Sequence, residues 1–436
     1  MTQILRIKGG KPLKGKVKIS GAKNEVTKLM VASTLFDRPF YIENVPDIED
    51  VRITADMLRR MGVDVAFRPD KHVIALNATR MSKHEAVFGE GKANRLSILL
   101  AGPLLHKFGK AVVEKPGGCR IGERPLDLHL YYLKQLGINI EEDDYQISLN
   151  GKLTGGSIEF PYKSVGATEG ALLASVYAKG TTVISNHANE PEIIELIKVL
   201  QQAGAMIEYD SEGRIKVTGV DYPLHVDHPI AVIGDRVEAI SYFAAALATN
   251  GDIIAEGIDQ RHIFTALAVL RRAGAKIDIT NERIRVSRNG ILLPLNVETD
   301  PHPALATDFQ QVIAVLLSQA EGISHIHETV FEHRFTYLEQ LNKLGGKFTV
   351  STDCKPFKDC RFVNKNEHMA TIKGPAFYHG GEAEITDLRA AFALAMAGLL
   401  SDNVTTLTNV HHLLRGYDRV IQKLQSLGAN VELEES

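Results

Sequence analysis

Cysteine is scarce in this chain, with three residues in 436. That is too few for a disulfide framework and fits a reducing compartment. Neither charge sign dominates. Lys and Arg total 50 against 53 Asp and Glu, for a formal net charge of −3. This excludes a protein built mainly to hold nucleic acid, so basic residues must matter locally if at all. Long hydrophobic runs are missing too: the longest, Ala390 to Leu400, is too short to span a bilayer. The opening residues Met1-Thr2-Gln3-Ile4-Leu5-Arg6-Ile7-Lys8 lack the apolar core of a secretion signal. The expectation is a cytoplasmic globular protein with neither membrane nor nucleic acid among its partners.

The composition that remains, 44% hydrophobic and 24% charged, is that of an ordinary soluble protein, and the length predicts at least two domains. One phrase recurs six times: leucine, two mostly polar residues, a short apolar residue, then glycine and an alternating apolar run. It appears as Leu58-Arg59-Arg60-Met61-Gly62, Leu133-Lys134-Gln135-Leu136-Gly137 and Leu200-Gln201-Gln202-Ala203-Gly204. The second half repeats it as Leu270-Arg271-Arg272-Ala273-Gly274, Leu341-Asn342-Lys343-Leu344-Gly345 and Leu424-Gln425-Ser426-Leu427-Gly428. Each phrase predicts a helix ending in a glycine cap, followed by a strand such as Val63-Asp64-Val65 or Ala275 to Ile279.

The phrase glycines lie 75, 67, 70, 71 and 83 residues apart, longer than a solenoid repeat of roughly 20 to 50 residues. Between most of them sits a second helix–glycine–strand element, as at Gly180 and Gly251. Six small α/β units follow, three per half, giving two similar domains. Leu224-His225-Val226-Asp227-His228-Pro229, polar and proline-bearing, is the candidate linker. Gly10 to Lys16 imitates the start of a phosphate-binding P-loop. However, Val17 stands where Ser or Thr should hold magnesium, and the alternation of Lys14, Lys16 and Lys18 with Val17 and Ile19 predicts a strand.

Several polar clusters could carry chemistry. In Pro116-Gly117-Gly118-Cys119-Arg120-Ile121-Gly122-Glu123-Arg124, Arg120 and Arg124 flank a thiol, and nearby cations favour thiolate. A helix starting near Pro125 would turn free N–H groups towards the same loop, which suits an anion. The plain alternative is a glycine turn with a half-buried cysteine and solvated arginines. Ser20-Gly21-Ala22-Lys23-Asn24 reads equally as a helix start capped by Ser20, although an early lysine opposes the helix dipole. Arg95 is misplaced in the same way unless it meets an anion. Asp308, in Thr307-Asp308-Phe309-Gln310, precedes an apolar helix and would ordinarily be its cap. Arg389 and Arg415 each lie near an aspartate and read as surface ion pairs or as forks for carboxylate and phosphate. His325 and His327 alternate on a probable strand and His411-His412 lie in a loop, with no carboxylate or cysteine at ligand spacing. Cys354 and Cys360 lack a paired Cys-His set, so no metal ligand is assigned.

The Cys119 stretch closely resembles the cysteine loop of bacterial UDP-N-acetylglucosamine enolpyruvyl transferases, and further matches keep their order and spacing along nearly the whole chain. The resemblance implies a fold: two inside-out α/β domains of three units each, with helices inside the sheets. The first strand would belong to the C-terminal domain, giving residues 1–20 with 231–436 and residues 21–230. It implies transfer of the enolpyruvyl group of phosphoenolpyruvate to the 3-hydroxyl of UDP-N-acetylglucosamine, the first committed step of peptidoglycan precursor synthesis. It implies that Lys23 contacts phosphoenolpyruvate and Asn24 the nucleotide sugar, with Arg95 on the phosphate and Arg124 beside the donor. Cys119 would be the acid, Asp308 the base near the sugar hydroxyl, and Arg415 would close on the donor with Arg389 beside it. Pro125, Leu126, Asp127, Leu128, His129, Ser164, Val165, Gly166, Val330 and Phe331 would line the nucleotide pocket. No metal, organic cofactor or obligate protein partner is implied, and the antibiotic fosfomycin would add to Cys119.

The chain departs from the family at several places. Glu25, Thr27 and Lys28 replace small apolar residues, and Tyr162 stands where a pocket lysine is usual, with Lys163 next to it. Ala306 replaces a proline, and 351–373 is longer and more polar than in the family. These changes touch the acceptor side, so a paralogue using the same donor on another nucleotide or nucleotide sugar is the alternative. The shikimate-pathway enolpyruvyl transferase shares the architecture without this cysteine loop, and a non-catalytic nucleotide-sugar binder would release no phosphate.

Overall fold

In the six repeated phrases, glycine is where the backbone must turn left-handed. Gly62, Gly137, Gly204, Gly274, Gly345 and Gly428 all have φ between +82° and +110°, a region that costs other residues dearly. The helices they follow are Glu49–Arg60, Asp127–Gln135, Pro191–Gln202, Phe264–Arg272, Leu338–Lys343 and Val420–Ser426. The computed structural model describes residues 3–88, 94–115, 126–280, 283–288, 290–357 and 366–435. These gather into two compact units, one from 3–20 with 234–435 and one from the described residues of 21–233.

Each unit holds three four-stranded sheets among its described residues, and all six share one topology. In the sheet of Ser157–Glu159, that strand runs parallel to Thr181–Ser185, which pairs antiparallel with Ile215–Thr218, itself antiparallel to Met206–Tyr209. Strands such as Asp252–Glu256 bury alternate residues, so one sheet face packs inward and the other meets water. Inside lie helices buried on every side. All of Arg236–Ala248 and Gln310–Leu317 are buried, and so is Ala390–Leu400 except its last residue. A helix without a polar face has to be surrounded, which explains the longest apolar run in the sequence. The fold is thus the inside-out α/β arrangement, with helices enclosed by sheets.

Three sheets borrow a strand from far along the chain, one of them placing Gln3–Lys8 between Val404–Thr408 and Asn430–Glu435. Lys14–Lys18, a strand as its alternation predicts, lies parallel to Asp252–Glu256, and Ile230–Ala231 lies parallel to Phe40–Glu43. The stretch 224–229, expected as a linker, is packed within its unit. Leu224 is fully buried, its N–H donates to the Tyr177 hydroxyl at 3.0 Å, and its carbonyl accepts from Asp37 N–H at 3.0 Å. The chain changes unit further on, between Ile233 and Gly234.

Candidate active site

Asp308 sits in the short 3₁₀ turn Thr307–Phe309 that opens the buried helix Gln310–Leu317. It does not cap that helix. Its Oδ1 accepts from Arg334 Nη2 at 2.7 Å and its Oδ2 from Arg389 Nη2 at 2.7 Å. Burial pushes the carboxyl's pKa up, but the charges of Arg389, Arg334 and Arg236 outweigh it and hold the group well below the usual carboxylate range. Arg389 precedes the helix Ala390–Leu400, and Asp387 Oδ1 accepts from the N–H groups of Arg389 and Ala390 at 2.8 and 3.0 Å. Arg334 is almost wholly buried and lies over the Phe331 ring, 5.2 Å from its centroid.

Glu328 links these parts. Buried completely, it accepts at Oε1 from the N–H groups of Val330 (2.9 Å) and Phe331 (3.1 Å). Its Oε2 accepts from the Thr307 hydroxyl at 2.9 Å and the Gln310 amide at 3.2 Å. One carboxylate therefore fixes both the residue before Asp308 and the Val330-Phe331 backbone. Burial raises its pKa against these donors and Arg334. Sequence reasoning missed Glu328, Arg334 and Arg236. The only signal was a Glu two residues before Val330 in Glu328-Thr329-Val330-Phe331.

In the other unit, Lys23 begins the helix Lys23–Ala32, and its ammonium meets Asp50 Oδ2 at 3.1 Å with both side chains largely shielded. Asn24 follows, half-buried. Ser20 does not cap this helix: the N-cap is Ala22. Ser20 belongs to the first unit, where its hydroxyl donates to Asp418 Oδ2 (2.8 Å) and accepts from Lys423 Nζ (2.6 Å), while its N–H donates to Glu238.

Arg95, His129 and Gly166 come together in this second unit. Burial lowers the His129 pKa to about 3, the Arg95 charge adds to that, and a backbone contact with Gly166 opposes it. His129 is therefore a neutral imidazole at physiological pH. A methyl on Gly166 would stand 3.2 Å from His129 Nε2, so glycine there permits the approach. Ser164 caps the helix Val165–Ser175, accepting from Ala167 N–H at 3.4 Å, and Val165 is half-buried beside it. Leu126 is half-buried, Asp127 exposed and Leu128 buried at the start of Asp127–Gln135.

Glu25, Thr27 and Lys28, which depart from the family, have structural partners. Glu25 is 2% exposed, accepts from Ile233 N–H at 2.7 Å, and is pushed up to about 8 by burial. Lys28 faces the buried Glu169 at 3.8 Å, and Thr27 Oγ1 donates to the Lys23 carbonyl. Tyr162 and Lys163 are both exposed. Arg415 lies in the helix His411–Gly416, half-buried. Cys119, Arg120, Arg124, Pro125 and Cys360 lie outside the described residues. One sequence reading needs correction: a cysteine and a second histidine do approach His327. One ligand atom from each of His327, Cys354 and His368 lies within 4.8 Å of the others, because sheet pairing joins residues that sequence spacing keeps apart.

The family model described as EPSP synthase (3-phosphoshikimate 1-carboxyvinyltransferase) matches residues 7–424. The UDP-N-acetylglucosamine 1-carboxyvinyltransferase of Protochlamydia amoebophila is 40% identical over 441 residues, covering 99% of this chain and 94% of that protein. The enzyme of that name from Chlamydia abortus is 41% identical over 435 residues, covering 98% of this chain and 97% of its own. Among solved structures, the enolpyruvyl transferase NikO from Streptomyces tendae superposes with a TM-score of 0.87 at 24% identity, covering 100% of this chain and 99% of its own. EPSP synthase from Acinetobacter baumannii does so with a TM-score of 0.75 at 20% identity, covering 100% of each chain. These two likenesses concern the fold.

Proposed function

The chain belongs to the enolpyruvyl transferase family, alongside the UDP-N-acetylglucosamine 1-carboxyvinyltransferases, and from that premise we propose that it transfers the enolpyruvyl group of phosphoenolpyruvate to the 3-hydroxyl of UDP-N-acetylglucosamine, releasing phosphate. This is the first committed step of peptidoglycan precursor synthesis, and its soluble nucleotide substrate puts it in the cytoplasm. Among the described residues no helix is long and apolar enough to cross a membrane.

The observation that carries the reading is the carboxylate of Asp308 clamped between Arg334 and Arg389 next to the Glu328 bracket. A carboxylate held this way is ionised throughout the physiological range but is a weak base. It becomes effective only when the sugar hydroxyl replaces one guanidinium on its oxygen and donates its proton there. The hydroxyl oxygen then bonds to C2 of phosphoenolpyruvate while the Cys119 thiol delivers a proton to C3. The Cys119 thiolate then takes a proton back from C3, the C2–O bond to phosphate breaks with its electron pair leaving on phosphate, and the C2–C3 double bond is restored, while Asp308 passes its proton to the departing phosphate. Lys23, Arg95, Arg124, Arg389 and Arg415 balance the donor's carboxylate and phosphate charge. Asn24, Pro125, Leu126, Asp127, Leu128, His129, Ser164, Val165, Gly166, Val330 and Phe331 hold the nucleotide sugar.

A phosphate-release assay across acceptors tests this. Release requiring phosphoenolpyruvate and UDP-N-acetylglucosamine together supports the assignment. Release with another nucleotide sugar only would make the chain a paralogue, and tight binding without release would make it a binding protein.

A further inference from the structure

One end of a sheet in the first unit gathers residues that the transfer reaction does not use. Its strands are Asn296–Glu298, Gly322–His327, Phe348–Ser351 and Met369–Gly374. Glu298 and His327 close adjacent parallel strands and face each other in register. His327 is also opposite Met369, so His368 arrives beside it, and Cys354 lies three residues past Ser351, itself opposite Met369. His327 and His368 are fully buried, and Cys354 is half-buried.

The hydrogen bonding of both imidazoles places a proton on Nδ1, so that Nε2 is the nitrogen able to ligate. His327 Nδ1 meets Glu298 Oε2 at 2.6 Å, and a carboxylate can only accept, so Nδ1 carries the proton. In the neutral imidazole Nε2 then carries the lone pair, and it is buried with no hydrogen-bond partner among the described residues. His368 Nδ1 meets the Asn366 carbonyl, which fixes the same tautomer and turns its Nε2 towards Cys354 Sγ at 3.1 Å. A histidine whose second nitrogen donates to a carboxylate or carbonyl is the usual construction of a metal-ligating imidazole. Ligand atoms around tetrahedral zinc stand about 3.3–3.6 Å apart, and the three here lie within 4.8 Å of one another. Phe357 closes the side, stacked on His327 at 5.1 Å, with its N–H on the Cys354 carbonyl.

We propose that His327, Cys354 and His368 bind zinc, or a divalent cation of similar thiolate affinity, with Glu298 as the positioning carboxylate and water in the fourth place. Binding releases the thiol proton of Cys354, so affinity falls as pH is lowered. The ion fastens the turn at Cys354 and the backbone at His368 to the sheet. The His368 carbonyl accepts from Glu328 N–H at 2.8 Å, so the bracket behind Val330-Phe331 rests on this site.

The test is titration of the chelator-stripped full chain with Zn²⁺, then Co²⁺. The expected result is one equivalent of tight Zn²⁺ and an intense visible cobalt spectrum with a thiolate charge-transfer band. Cys354→Ser, at a half-exposed position, removes that band and weakens Zn²⁺ binding by about 100-fold or more, Glu298→Gln weakens it by about 10- to 100-fold, and Cys119→Ser retains it. Unchanged circular dichroism confirms that the variants fold. Absence of stoichiometric binding, cobalt binding without a thiolate band, or equal affinity in Cys354→Ser overturns the proposal. None of these readouts depends on transferase activity.

Discussion

Arg389 donates from Nη2 to Oδ2 of Asp308 at 2.7 Å, across 81 residues of sequence. The pair joins a residue proposed for the donor's charge to one proposed as the acceptor's base. Asp308→Asn removes the charge that balances Arg389 and Arg334. Turnover should fall by about 10²- to 10⁴-fold, and stability by about 3 kcal/mol because guanidiniums are left uncompensated. Denaturant unfolding beside steady-state kinetics checks both. Normal turnover in a folded Asp308→Asn protein would remove Asp308 from the mechanism.

Glu328 touches no proposed reacting atom, so its role is positioning. Glu328→Ala releases the Val330 and Phe331 N–H groups together with the Thr307 hydroxyl. The KM for the nucleotide sugar should rise about tenfold, the effect of losing roughly 1.4 kcal/mol of binding, while the KM for phosphoenolpyruvate holds. Glu328→Gln keeps one carbonyl oxygen for the two N–H groups and should recover much of the loss. Equal rises in both KM values would point to general loosening instead.

Local chemistry was legible where it is repeated. The six glycines announced left-handed turns, whereas the apolar run Ala390 to Leu400, read from the sequence only as too short for a bilayer, is a helix with no face to water. What the sequence concealed depends on tertiary convergence. Asp308 looks like a helix cap because the guanidiniums that occupy it come from Arg334 and Arg389. Ser20 looks like another cap, yet its partners are Asp418 and Lys423, some 400 residues away. His327 looks isolated because Cys354 and His368 reach it only through strand pairing.

Cys119 flanked by Arg120 and Arg124 should be a reactive thiol. Incubation with UDP-N-acetylglucosamine and fosfomycin should add one fosfomycin mass to the intact protein. Cys119→Asp should lose the adduct yet keep measurable turnover, since a carboxylic acid can also supply a proton. An unmodified wild-type mass counts against a reactive thiol at this position.

Two of the repeated glycines separate backbone strain from crowding. Gly428 has φ +90° with open space where a Cβ would be, whereas at Gly345, φ +110°, that Cβ would lie 2.2 Å from the Phe377 carbonyl oxygen. Gly428→Ala should cost about 1 kcal/mol, the penalty for a left-handed alanine. Gly345→Ala should cost clearly more, because backbone has to move. Equal midpoint shifts in urea would contradict this difference.

Glu25 should give the fold a pH dependence of known sign. Its pKa rises from an ordinary 4.5 to about 8 on folding, chiefly through burial, so between those values the native state holds a proton the unfolded chain has released. Stability from this group is then fully present below about pH 4.5 and is lost as pH rises towards 8. Every pH unit crossed between those two values removes about 1.4 kcal/mol, so the loss amounts to a few kcal/mol. Glu25→Gln keeps an oxygen for the Ile233 N–H and cannot ionise. Its melting temperature should match wild type near pH 5, exceed it at pH 8, and vary less in between. A wild-type protein whose stability is flat or rising from pH 5 to 8, with Glu25→Gln tracking it, would mean that Glu25 is ionised in the native state.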